Sequence, residues 1–181
     1  MKMKKRREKV KGRAAAVIGM ALLIVCSIPL GMGVSLVRER NEVEEYYYDS
    51  LLAELSFCSS SAADFVTLGS KYLPSDDVQL EALREANGTL MSVRDPGEKG
   101  EAYVRLNGCM AALYRTLCDV PMTQQDEKYR ESIYADYNSC MDIIGYNDYN
   151  MRAAEFNETF MNAPGRMIAE WMGVKELELF V

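Results

Sequence analysis

The sequence predicts an all-α protein: an N-terminal transmembrane helix that continues into an antiparallel bundle of about four helices. Three observations predict it. Residues 14–37 carry no charge, apolar residues beyond them recur at steps of three and four, and Pro- or Gly-containing breaks separate the helical stretches with no convincing strand between them. The expected organisation is a basic cytoplasmic tail at 1–13, a transmembrane helix at 14–37 and one helical bundle domain at 38–181.

The anchor comes first. As a helix, its 24 uncharged residues extend about 36 Å, enough to cross a hydrocarbon core of roughly 30 Å with some tilt. Pro29, Gly31 and Gly33 lie in its second half, where they are expected to kink or loosen the helix, a feature that bilayer-embedded helices tolerate. The run ends at Arg38-Glu39-Arg40. A cleaved signal peptide would share the basic start, but no good A-x-A site is present and the apolar run is long for such a segment.

Charge gives the anchor a direction. Residues 1–13 hold eight Lys or Arg and one acid, Glu8, against chain totals of 21 and 27; the remainder therefore carries 13 basic and 26 acidic residues, a net of −13. Lys and Arg flanking a span stay on the cytoplasmic side, so the N-terminus is expected inside and the C-terminal domain outside the cell membrane. An acidic body also argues against nucleic acid as a partner, because phosphate binding needs clustered cations. The chain has no histidine. That excludes Ser-His and Cys-His nucleophile pairs and removes the commonest imidazole metal ligand.

The elements of the body follow in order. A first helix over 36–72 continues from the span, with Leu36, Val43, Leu51, Leu55, Phe65, Leu68 and Tyr72 among its apolar positions. Leu73-Pro74-Ser75-Asp76-Asp77 breaks it, with Ser75 placed to cap the next helix. A second helix, about 76–93, stops at Arg94-Asp95-Pro96-Gly97. A third, about 98–118, aligns Ala102, Leu106, Cys109, Leu113 and Leu117. Thr123 and Asp126 resemble a capping box for the fourth and longest helix, about 124–161. Ile133, Tyr137, Cys140, Ile144, Asn147, Met151 and Ala154 form a heptad-like, coiled-coil-type seam in it, which places Asn147 in the core. Pro164-Gly165 ends that helix, and a short amphipathic tail follows with Met167, Ile168, Trp171 and Met172 on one side. Four such helices with short connections bury their stripes most economically as a bundle.

The last third holds the most specific pattern. Aromatic–Asn pairs recur at Tyr137-Asn138, Tyr146-Asn147, Tyr149-Asn150 and Phe156-Asn157, the final two seven residues apart on one predicted helix face. Pro164 follows eight residues after Phe156, then come Ile168-Ala169 and Gly173. This arrangement resembles the C-terminal signature of the LemA family of bacterial membrane proteins: YN, five residues, YN, then a proline and an apolar segment with Ala and Gly. Leu36-Val37-Arg38-Glu39-Arg40-Asn41-Glu42-Val43-Glu44-Glu45 is similar to the stretch directly after that family's anchor. The resemblance covers roughly 36–56 and 126–175. Phe156 replaces the second Tyr, Ala163 stands where an aromatic usually precedes the proline, and Leu55-Ser56-Phe57-Cys58-Ser59-Ser60-Ser61-Ala62 stands in place of a basic, proline-containing stretch. What the resemblance implies is an anchor followed by a long-helix bundle. It implies no activity, since the family has no agreed general biochemistry, although some members are associated with organising membranes.

The candidate interaction or packing signature is therefore Tyr146, Asn147, Tyr149, Asn150, Phe156, Asn157 and Pro164, with packing the favoured reading. Cys58, Cys109, Cys118 and Cys140 are an even set outside the span, but without C-x-x-C spacing; free thiols are favoured over disulfides or zinc. Asn87-Gly88-Thr89 and Asn157-Glu158-Thr159 match the glycosylation sequon, and the acids at 42, 44 and 45 and at 76 and 77 read as solvated helix faces or first-turn residues. No catalytic residue, metal ligand or cofactor site is expected. The expected function is a non-enzymatic, membrane-anchored helical scaffold or protein-interaction module; the alternative is a single-pass sensor whose extracytoplasmic bundle binds a small ligand or peptide. Expected partners are the lipid bilayer through residues 14–37 and either further copies of the chain or another membrane protein.

Overall fold

The structure, a computed structural model, describes residues 2–162 and 165–180, with side chains described at 19, 20, 23, 27–162 and 165–180. The described residues form helices and no strand. In order they are α1 (Lys2–Tyr46), a π-helical turn (Tyr47–Leu51), α2 (Leu52–Gly69), α3 (Val78–Ser92), α4 (Pro96–Cys118), α5 (Gln124–Gly145), α6 (Tyr149–Met161) and α7 (Gly165–Met172). The all-α fold, with an N-terminal helix of membrane-crossing length followed by a helical bundle, is as the sequence predicts.

Two compact units are distinct. One comprises Met1–Asn41 and Phe156–Glu176, the other Glu42–Glu155 and Leu177–Val181. The larger unit holds the bundle. Cys58 meets Cys140 and Lys71 meets Asp126, so residue numbers rise along α2 as they fall along α5. The same reversal holds for α2 and α3 (Ser59 with Asn87, Gly69 beside Leu80), for α3 and α4 (Leu90 with Lys99, Glu85 with Arg105), and for α4 and α5 (Tyr114 with Glu131, Asn107 with Tyr137). Four helices that each run antiparallel to the next, closing from α5 back onto α2, make an up-down-up-down bundle. Its core includes side chains with no exposed surface, among them Ala62, Phe65 and Leu68 of α2, Leu80, Leu83 and Leu90 of α3, and Leu106, Met110 and Leu113 of α4, with Ile133, Tyr137 and Cys140 of α5 buried against them. Burying each Leu contributes roughly 1.5–3 kcal/mol relative to leaving it in water.

The helix starts are set by side-chain caps. Asp95 accepts from the backbone N–H groups of Gly97 and Glu98, with Pro96 in the first helical turn where its missing N–H costs nothing. Thr123 caps α5 through the N–H of Asp126, as the capping-box pattern predicts. The cap of α3 is Asp77, accepting from Gln79 and Leu80, and not Ser75. A carboxylate accepts two N–H groups at the positive helix end better than a hydroxyl does, which moves the helix start two residues along.

Three further expectations are corrected. The first body helix is interrupted by the π-turn at Tyr47–Leu51, whose extra residue per turn keeps both Tyr47 and Leu51 buried. The fourth helix does not run unbroken over 124–161; it stops at Gly145 and restarts at Tyr149. That break shifts the buried face. Ile133, Tyr137, Cys140 and Ile144 are buried as the heptad seam predicts, but Met151 and Ala154 are exposed, and Tyr149, Ala153, Phe156 and Phe160 are buried in their place. Finally, Cys58 and Cys140 are joined as a disulfide across α2 and α5, with Cα atoms 6.0 Å apart, a normal span for such a bridge. Cys109 and Cys118 remain free.

In the smaller unit, α1 continues through Pro29 as helix. Its partner is α7: Ile168 and Met172 approach Gly33 so closely that a Cβ there would lie 2.0 Å from the Met172 sulfur. Gly33 therefore admits the short helix rather than loosening the long one. Gly173, at φ +70°, ends α7 in the left-handed conformation that glycine adopts without penalty, while the Val174 N–H reaches back to the Ala169 carbonyl at 2.9 Å. The chain beyond is tied to α1 by Arg40, whose Nε donates to the Lys175 carbonyl at 3.2 Å.

Among the described residues, the helical run Ser27–Gly69 is long and apolar enough to cross a membrane by length and composition. Its two ends differ. Leu51, Leu55, Ala62 and Phe65 are buried in the bundle, whereas Ile28, Leu30 and Val34 are more than half exposed, as are Met20 and Leu23 before them. Among the described residues, the exposed apolar side chains at 20, 23, 28, 30 and 34 fall within the predicted span, whereas Leu36 at its end is buried. The side chains of the basic tail and of 14–18, 21, 22 and 24–26 lie outside the described residues.

Candidate functional site

The aromatic–Asn signature is assembled around the break between α5 and α6. Gly145 ends α5, and Tyr146 at its C-cap projects into solvent with 87% of its surface exposed. Asn147 does not enter a helical seam. Its Oδ1 accepts the Tyr149 N–H at 2.9 Å, which starts α6, and its Nδ2 donates to Ser50 Oγ at 3.0 Å, which ties the break to the π-turn. An Asn side chain bonding the N–H two residues on is the local alternative to helix that amides favour. This is why the long helix divides here.

Tyr149 and Asn150 then hold the C-terminal segment. The Tyr149 hydroxyl donates to the Glu178 carbonyl at 2.6 Å. Asn150 pairs with Phe180 twice, its Nδ2 donating to the Phe180 carbonyl and its Oδ1 accepting the Phe180 N–H at 2.7 Å. Around these bonds the Tyr149 ring lies 4.9 Å from that of Tyr47, and the Phe180 ring 5.7 Å from that of Tyr103. The Tyr47 hydroxyl is buried without a hydrogen-bond partner, and burial pushes it well above the ordinary phenol range. The segment is further fixed by a carboxyl pair. Glu178 shares a hydrogen bond with Asp95, which raises the Glu178 carboxyl and lowers that of Asp95.

Of the remaining signature residues, Phe156 is fully buried with its ring 6.2 Å from that of Phe160, and Asn157 is half-buried; both belong to the smaller unit. Pro164 lies outside the described residues. The structure thus makes Tyr149 and Asn150 a latch for residues 177–180, with Asn147 setting the helix start that carries them, and leaves Tyr146 in solvent. Chemically the latch reads main-chain amide groups: it supplies a donor and an acceptor to one residue of an extended peptide and a donor to another.

Sequence reasoning did not find the strap, the disulfide or Lys99. Lys99 is buried, and its Nζ donates to the Leu90 carbonyl at 2.7 Å, near the negative end of α3. Desolvation lowers its ammonium below the ordinary range. The only sequence signal for the strap is the return of apolar residues at Leu177, Leu179 and Phe180 after α7. Among the described residues, no three His, Cys, Asp or Glu side chains gather as a metal site. Two hollows are open at the surface: one of about 470 Å³ lies between Phe57 of α2 and Ile143 of α5, and another of about 300 Å³ between Met32 of α1 and Gly165 of α7.

No protein-family model matches the chain, and no curated protein matches it.

Proposed function

We propose that this chain is a membrane-anchored helical scaffold or protein-interaction module of the LemA-like type, without enzymatic activity, whose span is residues 14–37. The observation that carries the reading is the contrast along the first helical run. Met20, Leu23, Ile28, Leu30 and Val34 are exposed within an uncharged stretch, while the apolar residues from Leu51 onward are buried by the bundle. Apolar side chains exposed in this way are unfavourable in water and are covered at no such cost by lipid. The LemA-like part rests on the aromatic–Asn pairs and the stretch from Leu36 to Glu45.

The N-terminus is cytoplasmic and the bundle extracytoplasmic in this reading. The eight Lys and Arg of residues 1–13 support that direction. The Cys58–Cys140 disulfide supports it independently, since such bonds persist in oxidising compartments and are rare in the cytosol. A bundle with a filled core and a rigid cross-link suits a platform that presents its outer surface.

Two measurements test the reading. C-terminal fusions to a reporter active only outside the cytoplasm are expected to be active; activity only from a cytoplasmic reporter removes the assigned direction. Affinity purification in mild detergent, with mass spectrometry of what co-elutes, is expected to return either further copies of this chain or a membrane-protein partner. A lone monomer defeats the scaffold.

A further inference from the structure

We propose that α7 is an interfacial helix, which seats Met167 and Trp171 in the outer headgroup layer of the bilayer that α1 crosses. The inference rests on the reading of residues 14–37 as a membrane span.

The apolar arc of α7 is wider than its protein contact. Stepping 100° per residue, Met167, Trp171, Ile168, Met172, Gly165 and Ala169 follow one another around the helix, and only Arg166 and Glu170 close the circle. The smaller unit covers one part of that arc. Ile168 and Ala169 are buried, and Ile168 and Met172 meet α1 at Gly33. The adjoining part is bare, with Met167 73% and Trp171 70% exposed. Arg166 and Glu170 form an ion pair of 3.1 Å on the remaining side. A short helix that is docked on one flank, apolar on the next and charged on the third is suited to a boundary between hydrocarbon and water.

Depth points to the same place. Gly33 precedes Arg38, the first charge after the span, by five residues, or about 7.5 Å of helix rise. The side chains at the level of Gly33 therefore lie near the boundary between headgroups and acyl chains, where Trp is enriched and into which interfacial helices bury their apolar face by about 5–10 Å. Leu30 and Val34, within a turn of Gly33 on α1, are likewise more than half exposed. The occupant is lipid, because α7 is docked at Gly33, within the stretch read as the span and five residues before its first flanking charge.

Trp171 is the chain's single tryptophan, so the unmodified protein carries its own probe. The full chain is reconstituted in phosphatidylcholine vesicles containing lipids brominated either near the headgroup or near the acyl-chain end. Trp171 emission is expected at short wavelength, quenched about twofold more by the shallow bromines than by the deep ones, as an interfacial depth requires. A second variant, Trp171→Phe with Leu23→Trp, moves the probe into the span and is expected to be quenched more by the deep bromines. If the residue-23 probe is quenched and Trp171 responds only to aqueous acrylamide, α7 lies outside the bilayer and the inference falls while the anchor stands. If Trp171 is shielded from both acrylamide and bromolipid, protein covers it, and the inference falls. If neither probe responds to bromolipid, the membrane span itself is wrong.

Discussion

Asn150 grips the main chain of Phe180 with both ends of its amide, donating to the carbonyl and accepting the N–H at 2.7 Å. The pair is thirty residues apart in sequence and fixes the C-terminal strap against the start of α6. Asn150→Leu keeps a side chain of similar size but removes both bonds and strands two main-chain groups. A loss of about 1–3 kcal/mol in holding the strap is expected. Hydrogen exchange at the amides of residues 177–180 measures it; unchanged protection would show that ring packing alone holds the segment.

The strap is also expected to loosen with rising pH. Glu178 is raised by its bond to Asp95, so the stability it contributes is fully present below the ordinary value of 4.5 and is lost as pH rises through the folded value. Asp95 is shifted the other way, and its own contribution is lost only at lower pH. Glu178→Gln keeps a donor for Asp95 without a titrating proton. Strap protection in this variant is expected to stay flat across the range where the wild type declines; an equal decline in both assigns the pH dependence elsewhere.

Tyr47 makes the opposite case. Its hydroxyl is buried without a partner, so its desolvation is uncompensated. Tyr47→Phe keeps the ring contact with Tyr149 and deletes the group, and is expected to be neutral or to stabilise by up to about 1 kcal/mol. Denaturant titration of the two proteins decides it, and a clear loss of stability would mean that the hydroxyl is satisfied in solution.

The Cys58–Cys140 bridge closes a segment of 82 residues. Constraining a loop of that length in the unfolded chain contributes about 4.5 kcal/mol in the chain-entropy description, and measured values often fall below it. Cys58→Ala with Cys140→Ala is expected to lower the denaturation midpoint by a corresponding amount, and reductant is expected to shift the wild type alone. A midpoint indifferent to reductant in the wild type contradicts the bridge.

Lys99 gives the bundle an alkaline signature. Its folded pKa lies below the ordinary 10.5 because burial disfavours the charged form. The folded state therefore binds fewer protons between the folded and unfolded values, and this residue's contribution to stability rises as pH increases through that window. Buried tyrosines such as Tyr137 are shifted upward by burial and act in the opposite sense, so the comparison is made against Lys99→Met, which keeps the aliphatic length. The wild type is expected to gain stability relative to the variant as pH rises toward 10.5; a constant difference between the two leaves only packing.

Much of the fold was legible because it is written in short-range terms. The uncharged run at 14–37, the cap at Thr123, the break at Pro96 and the stripe of Leu106, Leu113 and Leu117 each depend on residues within a few positions of one another. The candidate site was legible only in part. Tyr149 and Asn150 could be singled out by their repetition, but their partners Glu178 and Phe180 lie about thirty residues away. The heptad seam failed beyond Ile144 because Asn147 offers its backbone a competing bond, and periodicity does not register a single side chain that ends a helix.

The sequence by itself determined that the chain favours helix, that residues 14–37 form an uncharged apolar run of membrane-crossing length, and that its charge is divided between a basic tail and an acidic body. These follow from composition and spacing, which are fixed before the chain folds. Only the tertiary structure decided that Cys58 faces Cys140, that Asn150 holds Phe180, and that α7 covers Gly33 while leaving Trp171 bare. Those pairings join residues far apart along the chain, and the choice among many sterically similar alternatives is made by the packing of whole helices against one another.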